Sequence, residues 1–177
     1  MKHLPILLLA LAACSACNTQ ESGKCIIKGV INAEDKRDSC YVFLVPQGPH
    51  EASEVDSTLI LNGSFEFTVE EEKMAIVRVT KYRRLGLQDL LVVTEPGTVR
   101  VELSGSSNGS GTEQNDSLQV WKALTEQYNL ANRSAASEAE RTALREVYKT
   151  RTHEIAHGCG DDSTLGKFLL GLYPEKK

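Results

Sequence analysis

Val55-Asp56-Ser57-Thr58-Leu59-Ile60-Leu61-Asn62-Gly63-Ser64-Phe65-Glu66-Phe67-Thr68-Val69 is the stretch that decides the fold. A two-residue type I′ turn needs positive φ at both central positions, and Asn-Gly is among the few dipeptides that adopt it readily. Beyond the turn Phe65, Phe67 and Val69 alternate with Glu66 and Thr68, the period-two pattern of a strand buried on one face. Working outward, the same texture recurs. Runs at 25–31, 40–45, 74–82, 88–94 and 98–103 join 55–61 and 64–69 to give seven strand candidates. Val99-Arg100-Val101-Glu102-Leu103 alternates cleanly, whereas Leu90-Leu91-Val92-Val93 is apolar on both faces and reads as an interior strand. Glu95-Pro96-Gly97 makes a second tight turn, with proline fixing φ and glycine taking the positive-φ position. No helical period interrupts these runs, so residues 24–104 are expected to form an antiparallel sandwich or open barrel, a β-sandwich of about seven strands being the reading adopted, and an α/β nucleotide fold is excluded.

Downstream the texture changes. Gly105-Ser106-Ser107-Asn108-Gly109-Ser110-Gly111 and the residues to Asn115 read as a flexible connector by composition. Residues 116–177 are helical. Leu118, Trp121, Leu124 and Tyr128 form one stripe; Leu144, Tyr148 and Ile155, with Val147 at the edge, form another. Ser137 with Glu140 reads as a capping box opening the second helix. A third helix is predicted from Ser163 or Thr164 to Leu172, stopped by Pro174. The fold class is therefore mainly β with a C-terminal α segment of two or three helices.

The N-terminus specifies an address. Lys2, an apolar run from Leu4 to Ala13 and then Leu11-Ala12-Ala13-Cys14 describe a cleaved export signal over residues 1–13, because the run is too short to span a bilayer. The tetrapeptide resembles a lipobox, which makes Cys14 the expected lipidation site, with Cys17 a weaker candidate and residues 14–23 a tether. The expected location is the bacterial cell envelope, lipid-anchored in the outer membrane and facing the periplasm or the exterior. A net charge of −4, lowered by one when Lys2 is removed, gives no electrostatic reason to bind nucleic acid. Contact with the membrane then comes from the Cys14 lipid alone. Of the remaining cysteines, Cys25 and Cys40 are out of register for a disulfide if a hairpin centres on Asp35 and Lys36, and buried free thiols are the expectation. Cys159 is left over. Cys14-Ser15-Ala16-Cys17 lacks the strand-to-helix setting of a redox motif.

One motif carries catalytic chemistry. His153-Glu154-Ile155-Ala156-His157 spells H-E-x-x-H, in which two histidines one turn apart ligate zinc and the glutamate serves as general base. A third ligand is needed, and Ser163, Asp161, Asp162 and Glu175 are all poorly placed or of the wrong type. With the apolar stripe centred on Tyr148, His153 falls about 140° and His157 about 180° away, so both are expected to face solvent. The reading is a polar helix end whose histidines complement the helix dipole, capped by Gly158. No metal or cofactor is expected; zinc at His153 and His157, with Glu154 as base, is the competing reading. Trp121 and Tyr128 are read as core, Lys81, Arg83 and Arg84 around Tyr82 as a solvated strand end, and His50 has no sequence partner.

Four segments together resemble a known family. Asp56-Ser57 with Gly63-Ser64-Phe65-Glu66-Phe67, the Glu95-Pro96-Gly97 turn, Gly111-Thr112 with Asn115 and Leu118, and Thr164-Leu165-Gly166-Lys167-Phe168-Leu169-Leu170 are similar to segments of a domain of unknown function found in envelope lipoproteins of Gram-negative bacteria. In that family the domain usually precedes a thioredoxin-like domain of the TlpA or AhpC/TSA type. The resemblance implies a β-sandwich followed by helices, and an envelope protein partner in thiol-disulfide systems. The Trp-Cys-x-x-Cys motif that performs the redox chemistry does not occur in these 177 residues, so the resemblance transfers no catalytic residue. The expected role is a non-enzymatic binding or interaction module, with a small zinc hydrolase as the alternative.

Overall fold

The computed structural model describes residues 23–31, 40–79 and 86–174. The expected export signal, Cys14, Cys17, the expected turn at Asp35 and Lys36, the cluster of Lys81, Tyr82, Arg83 and Arg84, and Glu175 lie outside the described residues. Eight strands run in the order β1 (Cys25–Ile31), β2 (Tyr41–Pro46), β3 (Asp56–Leu59), β4 (Ser64–Val69), β5 (Met74–Arg78), β6 (Leu90–Val93), β7 (Gly97–Leu103) and β8 (Asn108–Ser110). Helices α1 (Glu113–Ser134), α2 (Glu138–Cys159) and α3 (Thr164–Leu172) follow. The strands form two four-stranded sheets, β4-β1-β7-β8 and β3-β2-β5-β6.

The deciding turn forms as its residues require. Asn62 has φ 53° and Gly63 φ 74°, and Leu61 and Ser64 exchange both backbone hydrogen bonds at 2.9 and 3.0 Å. It is nevertheless not the tip of a continuous ladder. Beyond Leu61 and Ser64 the arms separate, β3 pairing with β2 and β4 with β1, so Asn62-Gly63 is the corner at which the chain passes between sheets. Phe65 explains the departure of β4. It lies opposite Gly29 with its ring over that residue, and a Cβ at Gly29 would come within 1.9 Å of Phe65 Cζ. Glycine leaves the strand surface open, and the aromatic ring covers it.

Three expectations about the sheets are corrected. The strand count is eight, because the 105–115 stretch contributes β8. The buried Ser107 hydroxyl donates to the Gln88 carbonyl at 2.6 Å and accepts from Ser104 N at 3.0 Å. That closes a turn and returns Asn108–Ser110 along Arg100–Glu102 of β7; composition alone does not reveal such a tertiary tie. The sandwich is not wholly antiparallel. β1 and β7 run parallel, Cys25 opposite Gly97 through Ile31 opposite Leu103, since the chain leaves the first sheet after β4, builds β5 and β6 on the second, and re-enters through Glu95-Pro96-Gly97. Finally, β6 is an edge strand, not an interior one. Leu90 and Val92 face the sandwich, while Leu91 and Val93 are covered by the helices, so both faces are apolar for a different reason.

The sandwich core holds Ile27, Phe67, Val99, Val101 and Leu103 against Val42, Leu44, Val77, Leu90 and Val92. Each such side chain, fully buried, contributes about 1.5–3 kcal/mol of transfer free energy. A second core lies outside the sandwich, where Met74 and Val93 meet Leu118 of α1, Ala156 of α2, and Leu165 and Leu169 of α3. Trp121 packs edge-on to Phe168, and Tyr128 stacks on Tyr148 at 4.5 Å, so both aromatics serve packing. The helix limits follow from local chemistry. Ser137 Oγ accepts from Glu140 N, Ser163 Oγ accepts from Gly166 N, and α3 ends just before Pro174. The C-cap of α2 is Gly160, at φ 90°, and not Gly158. Cys25 opens β1 in one sheet and Cys40 directly precedes β2 of the other, so they do not face each other in one hairpin, and both are free, as is Cys159.

Candidate functional site

The H-E-x-x-H residues sit together on the last turns of α2, their rings 6.3 Å apart between centroids. One ring nitrogen of each histidine and the carboxylate of Glu154 have protein partners. His153 is half-buried, not solvent-facing, because the chain after α3 crosses it and its Nε2–H donates to the Tyr173 carbonyl at 2.5 Å. His157 is exposed and its Nδ1 lies 2.6 Å from Asp161 Oδ1. The Glu154 carboxylate is paired with Arg151 at 2.8 Å. Cys159 leans toward the outer core. Among the described residues no three His, Cys, Asp or Glu side chains are gathered so as to hold one metal ion.

A different polar constellation lies where sheet and helices join. Val93 is on the edge strand β6. Its partner on β5 is Met74, and Thr94 N bonds to the Lys73 carbonyl, so the N–H and C=O of Val93 point outward, away from the ladder. Asn115, in the first turn of α1 and fully buried, takes both. Its Oδ1 accepts from Val93 N at 3.0 Å and its Nδ2 donates to Val93 O at 2.7 Å. One carboxamide thus imitates the missing neighbouring strand at one residue.

Glu95 completes the joint from the other side. Helix N-termini leave backbone N–H groups without partners. The N-cap Thr112 does not satisfy them, since its Oγ1 accepts from Asn115 Nδ2 at 2.8 Å. Instead Glu95 Oε1 accepts from Gln114 N at 2.8 Å and from Asn115 N at 3.2 Å. A carboxylate there also complements the positive end of the helix dipole. Gln114 extends the network to α3, its Oε1 accepting from Leu165 N at 2.9 Å and its Nε2 donating to Glu72 Oε1 at 2.9 Å. Thr164 Oγ1 donates to the same Glu72 oxygen at 2.7 Å. Sequence reasoning picked out Glu95, Thr112, Asn115 and Thr164 as motif residues but missed Gln114 and Glu72, which carry no local pattern.

Cys25 lies close by at the start of β1. Burial pushes its thiol up to about 11, with the negative charges of Glu95 and Glu72 adding to the effect. A thiol held protonated and buried is a poor nucleophile. His50 is an exposed loop residue whose Nδ1–H donates to the Gly48 carbonyl at 2.8 Å.

Residues 25–118 match the family described as a domain of unknown function, DUF4369, over more than half of the chain. The chain belongs to the DUF4369 family. The DUF4369 segment runs from the first residue of β1 to Leu118, so it contains the sandwich and the first turns of α1, including both Glu95 and Asn115. Its C-terminal limit falls just past the joint, in the helix that the joint secures. No curated protein and no solved structure matches the chain. No helix among the described residues is long and apolar enough to cross a membrane.

Proposed function

We propose that this protein is a lipid-anchored, non-enzymatic binding module of the bacterial cell envelope, held to a membrane through Cys14. The observation that carries the non-enzymatic part is what the motif residues do. Glu95, Thr112 and Asn115 turn their polar groups toward Val93, the start of α1 and one another. They fasten helices to a sheet, and residues so engaged are scaffold. Support for the anchor comes from Leu11-Ala12-Ala13-Cys14, a lipobox-like tetrapeptide behind an apolar run of export-signal length. The partner is an envelope protein, and the family resemblance favours one from a thiol-disulfide system; that link rests on analogy.

Expression of the wild type and of Cys14→Ser in a Gram-negative host, followed by fractionation, tests this reading. Wild type in the membrane fraction and failure of Cys14→Ser to acquire labelled palmitate support it. Equal behaviour of the two proteins overturns it.

The competing reading, a zinc hydrolase, draws on the occurrence of His153, Glu154 and His157 on one helix. Zinc bound through both Nε2 atoms would require His153 to leave the Tyr173 carbonyl, and base chemistry would require Glu154 to leave Arg151. One zinc per purified chain, lost in a His153→Ala/His157→Ala double variant, would favour the hydrolase; no zinc in either protein would favour the binding module.

A further inference from the structure

The outer face of the second sheet carries a cleft of about 510 Å³ that neither the joint nor the H-E-x-x-H helix enters. Ser57, Phe43 and Arg78 stand side by side across β3, β2 and β5 in one cross-strand row. Leu44 and Val77 point into the sandwich, which turns this row outward. Val45 extends the floor, and the loop after β2 folds back to supply Val55 and His50 as a wall.

Two features give the cleft a chemical character. Its walls are aromatic and aliphatic, and among the described residues its ionisable lining is Arg78 and His50, with no carboxylate. Of the loop's two acids, Glu51 and Glu54, the second is occupied within the loop, its Oε2 accepting from Glu51 N at 2.6 Å. The Arg78 guanidinium is held at one corner only. Its Nη2 donates to Asp89 Oδ2 at 2.6 Å, and Asp89 belongs to a separate cavity beside α1. Arg78 Nε is buried and has no hydrogen-bond partner, an uncommon condition for a guanidinium N–H. Asp89 engages Nη2 alone, so the donors that Arg78 can offer to a molecule in the cleft are those of the terminal guanidinium nitrogens and not the enclosed Nε.

We propose that this cleft binds a small carboxylate with an apolar tail, the tail lying on Phe43, Val45 and Val55 and the carboxylate engaging Arg78. A volume within roughly 300–1,000 Å³ and apolar walls with a few convergent polar groups are the usual composition of a small-molecule site. A guanidinium recognises a planar carboxylate through parallel N–H donors. The assignment deepens the binding-module reading and rests on it, while depending in no way on the Cys14 anchor.

The test uses the full-length protein as purified from its expression host, whether or not it carries a lipid, with protein-free buffer as reference. Hexanoate and its neutral counterpart hexanamide are titrated at pH 7 and followed by amide NMR shifts. Hexanoate should bind about tenfold more tightly than hexanamide, the gain expected of a charge-assisted contact, with shifts centred on Phe43, Val45 and Ser57. Arg78→Gln should abolish that preference. Asp89→Asn, which removes the competing carboxylate, should strengthen hexanoate binding and leave hexanamide unchanged. Equal affinity for the two probes, shifts centred elsewhere, or an Asp89→Asn variant with unaltered preference would overturn the assignment. Because membrane attachment is read separately in Cys14→Ser, failure of the titration is distinguishable from failure of the anchoring.

Discussion

Replacing Asn115 by alanine tests the joint most severely. Its carboxamide is the partner of both Val93 N and Val93 O and also donates to Thr112 Oγ1 and, at 3.4 Å, to Glu95 Oε1. The site is closed to solvent, since Asn115 and Val93 are both 0 % exposed. The variant therefore strands a buried N–H and a buried C=O, each costing about 1–3 kcal/mol. With the small cavity added, the expected loss is about 3–5 kcal/mol, a large share of the total stability of a domain this size. Urea denaturation of wild type and variant measures it, and hydrogen exchange localises it: protection of the Val93 amide should fall selectively. Asn115→Asp keeps an acceptor for Val93 N but sets an anion against the Val93 carbonyl and Glu95. It should be at least as harmful at neutral pH and should recover in part as the pH is lowered. A loss under about 1 kcal/mol for Asn115→Ala, the level of an ordinary surface change, would refute the reasoning. So would an equally protected Val93 amide.

Two further outcomes follow from the same geometry. Gly29→Ala should destabilise by about 2–4 kcal/mol, because Phe65 must leave its place over β1; thermal melts check it, and Phe65→Leu should lessen the penalty by shortening the obstacle. Cys25, at 1 % exposed, should resist iodoacetamide at pH 8 in the native state. Its folded value of about 11 lies above the unfolded value near 9, so its contribution is intact below pH 9 and is lost as the pH rises toward 11. The full loss for this two-unit shift is about 3 kcal/mol. Abolition of that alkaline destabilisation in Cys25→Ala, measured by melting temperature across pH 8–11, is the expected result.

What was legible in the sequence divides along physical lines. Alternation told correctly which face of β4 and β7 is buried, because burial on a strand has a period of two and is written residue by residue. Asn62-Gly63 announced its turn because positive φ excludes most other residues. Pairing was less legible. The same alternation fits a strand in either sheet, so the separation of β3 from β4 depended on Phe65 fitting over Gly29, a contact between residues 36 positions apart in the chain. Two-faced apolarity in β6 showed burial but not what buries it. Polar composition at 105–115 concealed β8, since the tie from Ser107 to Gln88 spans 19 residues. At the candidate site, Asn115 and Glu95 were visible only as parts of a recurring motif. Their geometry assigns them to the joint, and the cleft with Arg78 left no local trace because three strands supply it.

The proposed acyl chain on Cys14, which would hold this protein to an envelope membrane, is open to direct measurement. Its most direct test is the mass of the N-terminal peptide of the mature protein purified from membranes. The expected mature chain begins at Cys14 and carries the added mass of a diacylglyceryl group, lost in Cys14→Ser. A mature chain beginning elsewhere, or an unmodified Cys14, would contradict it.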